Sequence, residues 1–361
     1  MIVLCTPNDY EGGCEGVPDT WQPLVDALEV LGARVSLLDW MDDQIDWDAQ
    51  PRLVLPLLTW NYCESVDRFA LFLQQLCASG ATPRADLVAV EWILHKRYLL
   101  ELHEAGIPIV PTRVLSRGAT IREVRDALKA LSVQERLERE AEQQAMFVYK
   151  PSVGSRGDGV ELLRTGEAAD EAALTSELRA GDVLIQPFLR RVRRDGELCV
   201  CFINGRMLHT IRKNPDGWGG MPTGRAGELP QDKPAADAAV PAPPARRHAC
   251  ESQPVEVLEP PPCAAVAVAQ RALEHVQRRA AGMPFIARVD LLPSSSGWLV
   301  SELELGWADL FLRARPAAAA VVARELFHHL PAEEHDEEHE AETNLDELPG
   351  KAKRARSGCT P

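Results

Sequence analysis

Asn204-Gly205 stands between two strand-forming runs, Glu197–Ile203 and Arg206–Lys213. A two-residue turn with positive φ at both positions matches the right-handed twist of its flanking strands, and Asn-Gly tolerates that backbone well. The middle of the chain is therefore committed to an antiparallel hairpin. A second hairpin is expected from Ile286–Leu292 and Trp298–Leu305 around Pro293–Gly297, with further strands at Phe147–Lys150 and Val183–Phe188. Strands in the middle with helices around them predict an α+β body rather than a second doubly wound sheet.

The first 60 residues read differently. Ile2–Leu4, Val35–Leu38 and Leu53–Leu58 are short apolar runs, and Trp21–Leu31 has helical periodicity that ends at Gly32. That order predicts a small α/β layer on a parallel sheet. Ser65–Ser79 follows as an amphipathic helix with Phe69, Phe72, Leu73 and Leu76 on its inner side. Thr59-Trp60-Asn61-Tyr62 falls at the carboxyl end of a strand, where open α/β sheets place ligands. His95–Ala105 reads as a helix closed by Gly106, and Thr120 with Glu123 forms a capping box opening a helix to about Gln144. Pro215–Pro262 lacks either hydrophobic period and is expected to be a long loop, with a disordered insertion over 231–244.

Charge and cysteine usage narrow the function class. A net charge of −15 argues against a sequence-independent polyanion binder such as a nucleic-acid protein. Residues 331–361 supply −5 of it and have few large apolar residues, so a disordered acidic and basic tail is expected there, His335, His339 and Lys351–Arg356 being solvated. No apolar run nears the roughly 18 residues of a membrane span, and Met1–Gly13 has neither the basic nor the apolar region of a secretory signal. Nine cysteines without a CxxC fit reduced cytoplasmic thiols, with Cys199 and Cys201 expected to pack within a strand.

Three features carry chemistry. Lys150-Pro-Ser-Val-Gly-Ser-Arg-Gly-Asp-Gly-Val160 sets a strand-end lysine before three glycines, a loop whose N–H groups can approach phosphates while Lys150 and Arg156 add positive charge. It is neither a Walker A motif nor a GxGxxG fingerprint, and taken alone it is equally an ordinary turn. In the late hairpin, Arg288 and Asp290 share a face, as do Glu302 and Glu304, with Leu303 and Leu305 turned to the core. Three carboxylates that close repel unless a cation sits among them, which suits one or two Mg²⁺ ions; an exposed acidic face paired with Arg288 is the plainer alternative. Lys96 is the third feature, and an isolated helical lysine gains meaning only beside the other two.

In order, Lys96, Lys150 with its loop, Gln186-Pro-Phe-Leu189, Asp290, Glu302 and Glu304 resemble the ATP-grasp superfamily, in its glutathione synthetase-like branch that includes the cycloserine-forming cyclo-ligases. Seven blocks in sequence carry the resemblance: 59–62, 95–102, 106–112, 147–154, 209–213, 287–292 and 302–312. It implies an N-terminal α/β substrate-side domain (1–90), then a two-lobed α+β fold with a central lobe (91–190) and a C-terminal lobe (191–330). Lys96 and Lys150 would hold the phosphates of ATP, with Ser152, Gly154, Ser155, Gly157 and Gly159 closing over them. Gln186, Phe188 and Leu189 would hold adenine. Asp290, Glu302 and Glu304 would hold Mg²⁺, Mn²⁺ being an alternative, and Arg288 would steady the transferring phosphoryl group. Arg212 and Lys213 would face the substrate carboxylate or γ-phosphate, while Glu197 starts the same hairpin. Thr59–Tyr62 would be substrate-side, as would Arg246, the nearest counterpart of a basic residue that relatives carry there. Two departures fall on that side: Leu57 and Leu58 stand where relatives tend to have an arginine, and Asn61 replaces an acid.

The activity implied is an ATP-dependent ligase that converts a small-molecule carboxylate to an acylphosphate and joins it to an amine-like nucleophile, amino-acid or peptide-like in character. Relatives commonly assemble as homo-oligomers. Two other readings share the fold: a small-molecule phosphotransferase, and an ATP-binding regulatory protein without turnover.

Overall fold

The computed structural model describes residues 2–6, 21–47, 53–80, 84–138, 144–155, 157–213, 255–306 and 308–328. Arg156, Arg246, the expected insertion at 231–244 and the tail at 331–361 lie outside the described residues.

The N-terminal unit is a parallel three-stranded sheet in which β1 (Ile2–Thr6) lies between β2 (Val35–Asp39) and β3 (Leu53–Leu55). Helix α1 (Gln22–Val30) connects β1 to β2 and closes where Gly32 takes φ +80°. The sequence reading carried β3 on to Leu58. Pro56 has no N–H to extend a ladder, and the chain turns into a 3₁₀ segment at Trp60–Glu64 instead. Helix α2 (Val66–Ser79) buries Phe69, Phe72, Leu73 and Leu76, the four residues its periodicity singled out. Trp40 stands edge-on to Phe69 at 5.1 Å and Trp47 edge-on to Phe72 at 5.2 Å, which welds α2 to the sheet. Helices α3 (Arg84–Ile93) and α4 (Tyr98–Glu104) follow. The helix read at His95–Ala105 begins only at Tyr98, so Lys96 sits in the turn between α3 and α4.

The next layer is a four-stranded antiparallel sheet ordered β4-β7-β5-β6, from β4 (Arg113–Leu115), β5 (Met146–Pro151), β6 (Glu161–Arg164) and β7 (Val183–Pro187). Helix α5 (Ile121–Glu138) starts at the capping box: Glu123 accepts from the Thr120 N–H at 2.7 Å, and the Glu123 N–H donates to Thr120 Oγ1 at 3.3 Å. Helix α6 (Ala168–Ala180) joins β6 to β7, and the short α7 (Val192–Asp195) leads out of the sheet. The glycine-rich segment is the connection between β5 and β6, a hairpin loop.

The third sheet is antiparallel, ordered β10-β9-β8-β11-β12, from β8 (Glu197–Ile203), β9 (Arg206–Lys213), β10 (Val255–Val257), β11 (Ile286–Ser294) and β12 (Gly297–Leu305). Asn204 and Gly205 take φ of +47° and +76°, the backbone the turn type requires. Helix α8 (Cys263–Ala280) lays Ala265, Ala269 and Ala272 into the core beside this sheet, and α9 (Pro316–Phe327) packs on α1. Tyr98 ties α4 to β12 by accepting the Leu303 N–H at 2.8 Å. No helix among the described residues is long and apolar enough to cross a membrane.

Candidate active site

The four-stranded and five-stranded sheets face a cavity of about 570 Å³, whose rim includes Trp60 and Tyr62 from the N-terminal unit. Strand alternation decides what enters it. On β11, Ala287, Val289 and Leu291 join the core while Arg288 and Asp290 line the cavity; on β12, Leu303 and Leu305 go inward while Glu302 and Glu304 line it. The register sets Arg288 opposite Glu304 and Asp290 opposite Glu302.

The ion pairs follow from that register. Arg288 grips Asp290 through two hydrogen bonds of 2.7 and 2.9 Å and also pairs with Glu304. Lys213 Nζ lies 3.1 Å from Glu197 and 3.5 Å from Asp290, and Lys96 Nζ lies 3.2 Å from Glu302. Burial alone would push every one of these carboxyls up. Arg288 and Lys213 overturn that for Asp290, which is held well below the usual carboxylate range. Lys96 and Lys150 likewise hold Glu302 down. Glu304 is different: burial dominates, Arg288 offsets it only partly, and the group rises to about 7. Burial lowers the Lys150 ammonium, which several nearby carboxylates support.

The glycine-rich loop is pinned from below. The Lys96 N–H donates to Ser152 O at 2.8 Å, and Lys96 Nζ donates to Gly154 O at 2.5 Å. Gly159 has φ +72°, and a Cβ there would come within 2.8 Å of Pro151, so a side chain has neither the backbone nor the space. At the opposite wall Phe188 and Leu189 line the cavity, and Gln186 donates to Thr112 Oγ1 at 2.8 Å.

Most residues named from the sequence meet here: Lys96, Lys150, Gly154, Ser155, Gly157, Gln186, Phe188, Leu189, Glu197, Lys213, Arg288, Asp290, Glu302 and Glu304 all line the cavity, with Trp60 and Tyr62. Others do not. Arg212 faces away from the cavity, because one step along β9 reverses the side chain, and it pairs with Glu256 on β10. Thr59 and Asn61 are tied into the N-terminal unit, Thr59 Oγ1 donating to Pro56 O and Asn61 Oδ1 accepting from Trp40 Nε1 at 2.8 Å. Ser152 is buried within the loop, and Gly159 is exposed against Pro151; neither lines the cavity.

Sequence reasoning missed Phe311, whose ring lies 5.2 Å from the Arg288 guanidinium and 5.7 Å from Lys213 Nζ. It also missed Asp309, whose carbonyl accepts from Arg288 at 2.9 Å, and Thr112 as the partner of Gln186. None of these carries a charge pattern or spacing of its own, and only their place in blocks 106–112 and 302–312 marked them.

The donor set fits a magnesium nucleotide. Carboxylate oxygens of Asp290, Glu302 and Glu304 are hard donors on one face, while Lys96, Lys150, Lys213 and Arg288 offer the positive charge that phosphates need. Glu302 and Glu304 turn to Lys96 and Arg288 here; among the described residues the donor atoms gathered within 4.8 Å are those of Glu197, Cys199 and Asp290. The buried Ser152 hydroxyl, in the loop itself, has no hydrogen-bond partner among the described residues.

Residues 2–82 match the family described as D-cycloserine synthetase DcsG, N-terminal domain. The cycloserine biosynthesis protein DcsG of Streptomyces lavendulae is 30% identical over 210 residues, which is 56% of this chain and 66% of that relative's length. The crystal structure of D-cycloserine synthetase DcsG superposes with a TM-score of 0.68 at 24% identity, covering 91% of this chain and 99% of that one. An ATP-grasp RimK domain protein from Sphaerobacter thermophilus DSM 20745 gives 0.56 at 15% identity, covering 90% and 99%.

Proposed function

We propose that the chain is a member of the ATP-grasp superfamily and an ATP-dependent ligase, a reading that its fold and its similarity to DcsG support. It activates the carboxylate of an amino-acid or peptide-like small molecule as an acylphosphate and joins it to an amine-like nucleophile, releasing ADP and phosphate. One observation carries this reading: the cations Lys96, Lys150, Lys213 and Arg288 and the carboxylates Glu197, Asp290, Glu302 and Glu304, from five strands and one turn, meet around a cavity between two antiparallel sheets, beneath a glycine-rich hairpin loop.

The division of labour follows from the charges. A carboxylate is a poor electrophile at neutral pH, and the barrier to phosphorylating it is largely the repulsion of anions and the cost of aligning them. Lys96 and Lys150 neutralise phosphate oxygens from one side and Arg288 and Lys213 from the other. Asp290, Glu302 and Glu304 would hold Mg²⁺, which when bound supplies further charge neutralisation. Asp290 suits that role because its neighbours keep it ionised. Phe311 backs both Arg288 and Lys213 with an aromatic face, which orients them without adding charge. Gln186, Phe188 and Leu189 form the adenine wall, and Trp60 with Tyr62 the substrate side. The free thiols of the described cysteines fit a cytoplasmic site of action.

The test is phosphate release from ATP with Mg²⁺ across a panel of amino acids and small peptides. The reading expects at least one acid to stimulate release and Glu302→Gln to abolish it with the fold intact. ADP formed without free phosphate, the phosphoryl group being retained on the small molecule, would make the chain a phosphotransferase instead.

A further inference from the structure

We propose that Tyr62 is a positioning residue for the nucleotide phosphates, acting from the N-terminal unit through the carbonyl of Gly154. The inference rests on the ATP site proposed above and extends it to a unit that belongs to neither of the two sheets facing the cavity.

Two independent hydrogen bonds join the 3₁₀ segment to the glycine-rich loop across more than 90 residues of chain. Tyr62 donates its hydroxyl to Gly154 O at 3.1 Å, and Ser155 Oγ donates to Trp60 O at 2.5 Å. Cys63 Sγ lies 3.7 Å from the same Ser155 hydroxyl. Tyr62 is 3% exposed, so it is held in place by packing, including a ring contact with Phe69 at 5.5 Å. Burial and the nearby Glu302 push its phenol up, which keeps it a neutral donor.

The second donor to Gly154 O is Lys96 Nζ. Both acceptor positions of that carbonyl are therefore taken, one by a phenol that cannot leave and one by an ammonium that the phosphates would attract. When Lys96 turns to a phosphate, Gly154 O loses a donor and only the Tyr62 bond continues to hold it. Without the Tyr62 hydroxyl, the same turn leaves the carbonyl without either donor, and that cost is charged to phosphate binding alone. Adenine, which the proposed site sets against the Gln186–Leu189 wall, would not draw on it.

Calorimetric titration of the full chain with ATP-Mg, ADP-Mg and AMP separates these contributions. Tyr62→Phe is expected to weaken ATP-Mg and ADP-Mg about tenfold, the size of a net hydrogen bond, and to leave AMP unchanged. Ser155→Ala, which removes the second bond without touching the aromatic core, is expected to move affinity in the same direction and guards against a Tyr62→Phe chain that does not fold. Wild-type affinity for ATP-Mg in both variants overturns the proposal, and so does an equal loss for AMP, which marks a role in packing. A wild-type chain that binds no ATP-Mg contradicts the ATP site itself, a result distinct from either.

Discussion

At Arg212 and Lys213, one step along β9 carries a side chain from one face of the sheet to the other. Lys213 reaches Glu197 and Asp290 inside the cavity, and Arg212 reaches Glu256 on the opposite face. The sequence names both as basic residues at the end of a hairpin; the pleat decides between them, and a bulge between Cys201 and Phe202 shifts the register so that Glu197 faces Lys213, where counting from the Asn204-Gly205 turn would have set Arg212. Lys213→Ala is expected to cut ATP-dependent phosphate release on the order of 100-fold, since it removes a buried charge facing the developing one. Arg212→Ala, which loses only a partly exposed ion pair, should stay within about threefold of wild type. Equal losses in steady-state phosphate release would contradict the assignment of faces. Glu302 and Glu304 were legible, because alternation with Leu303 and Leu305 marks their face. Phe311 was not: an aromatic ring over two cations depends on a loop path with φ +52° at that residue, which no period records.

Among the elements, those with strong local signals formed where expected, as β8, β9 and α2 illustrate. Elements fixed by distant packing did not announce themselves. Strands β4 and β6 are only three and four residues long and exist as neighbours of β7 and β5. Helix α3 contains such a tertiary detail. Asp86 is buried at its first turn, where Oδ1 accepts the Phe285 N–H at 2.8 Å and Oδ2 has no partner among the described residues. Burial raises this carboxyl to about 7, against 3.8 for a free aspartate. From about pH 4 to 7 the folded chain therefore holds one proton more than the unfolded chain at this site, and stability falls as pH rises through that window. Relative to Asp86→Asn, wild type should lose up to about 1.4 kcal/mol per pH unit there. Urea unfolding of both chains at several pH values checks this, and parallel stability curves would contradict it.

For the molecule as a whole, three sheets share one core, in which Val54, Leu184 and Val289 belong to a single cluster, and the chemistry of the cavity they converge on is long-range. Lys96 and Glu302 are 3.2 Å apart in space, as Lys213 and Asp290 are 3.5 Å apart. No local window of sequence brings such pairs together, and it was the order of the blocks, through their resemblance to one fold, that placed them at one site. The structure adds what that order lacked: Thr59 and Asn61 belong to the N-terminal core rather than the cavity, and Tyr62 spans the distance to the loop. Everything functional in this account depends on ATP-Mg binding between the two antiparallel sheets. Thermal unfolding with and without ATP-Mg measures that directly: a ligand at 100 times its Kd should stabilise the folded chain by about 2.7 kcal/mol, so the melting temperature should rise with nucleotide concentration, and the rise should vanish in a Lys150→Met chain. A melting temperature unmoved by millimolar ATP-Mg would contradict it.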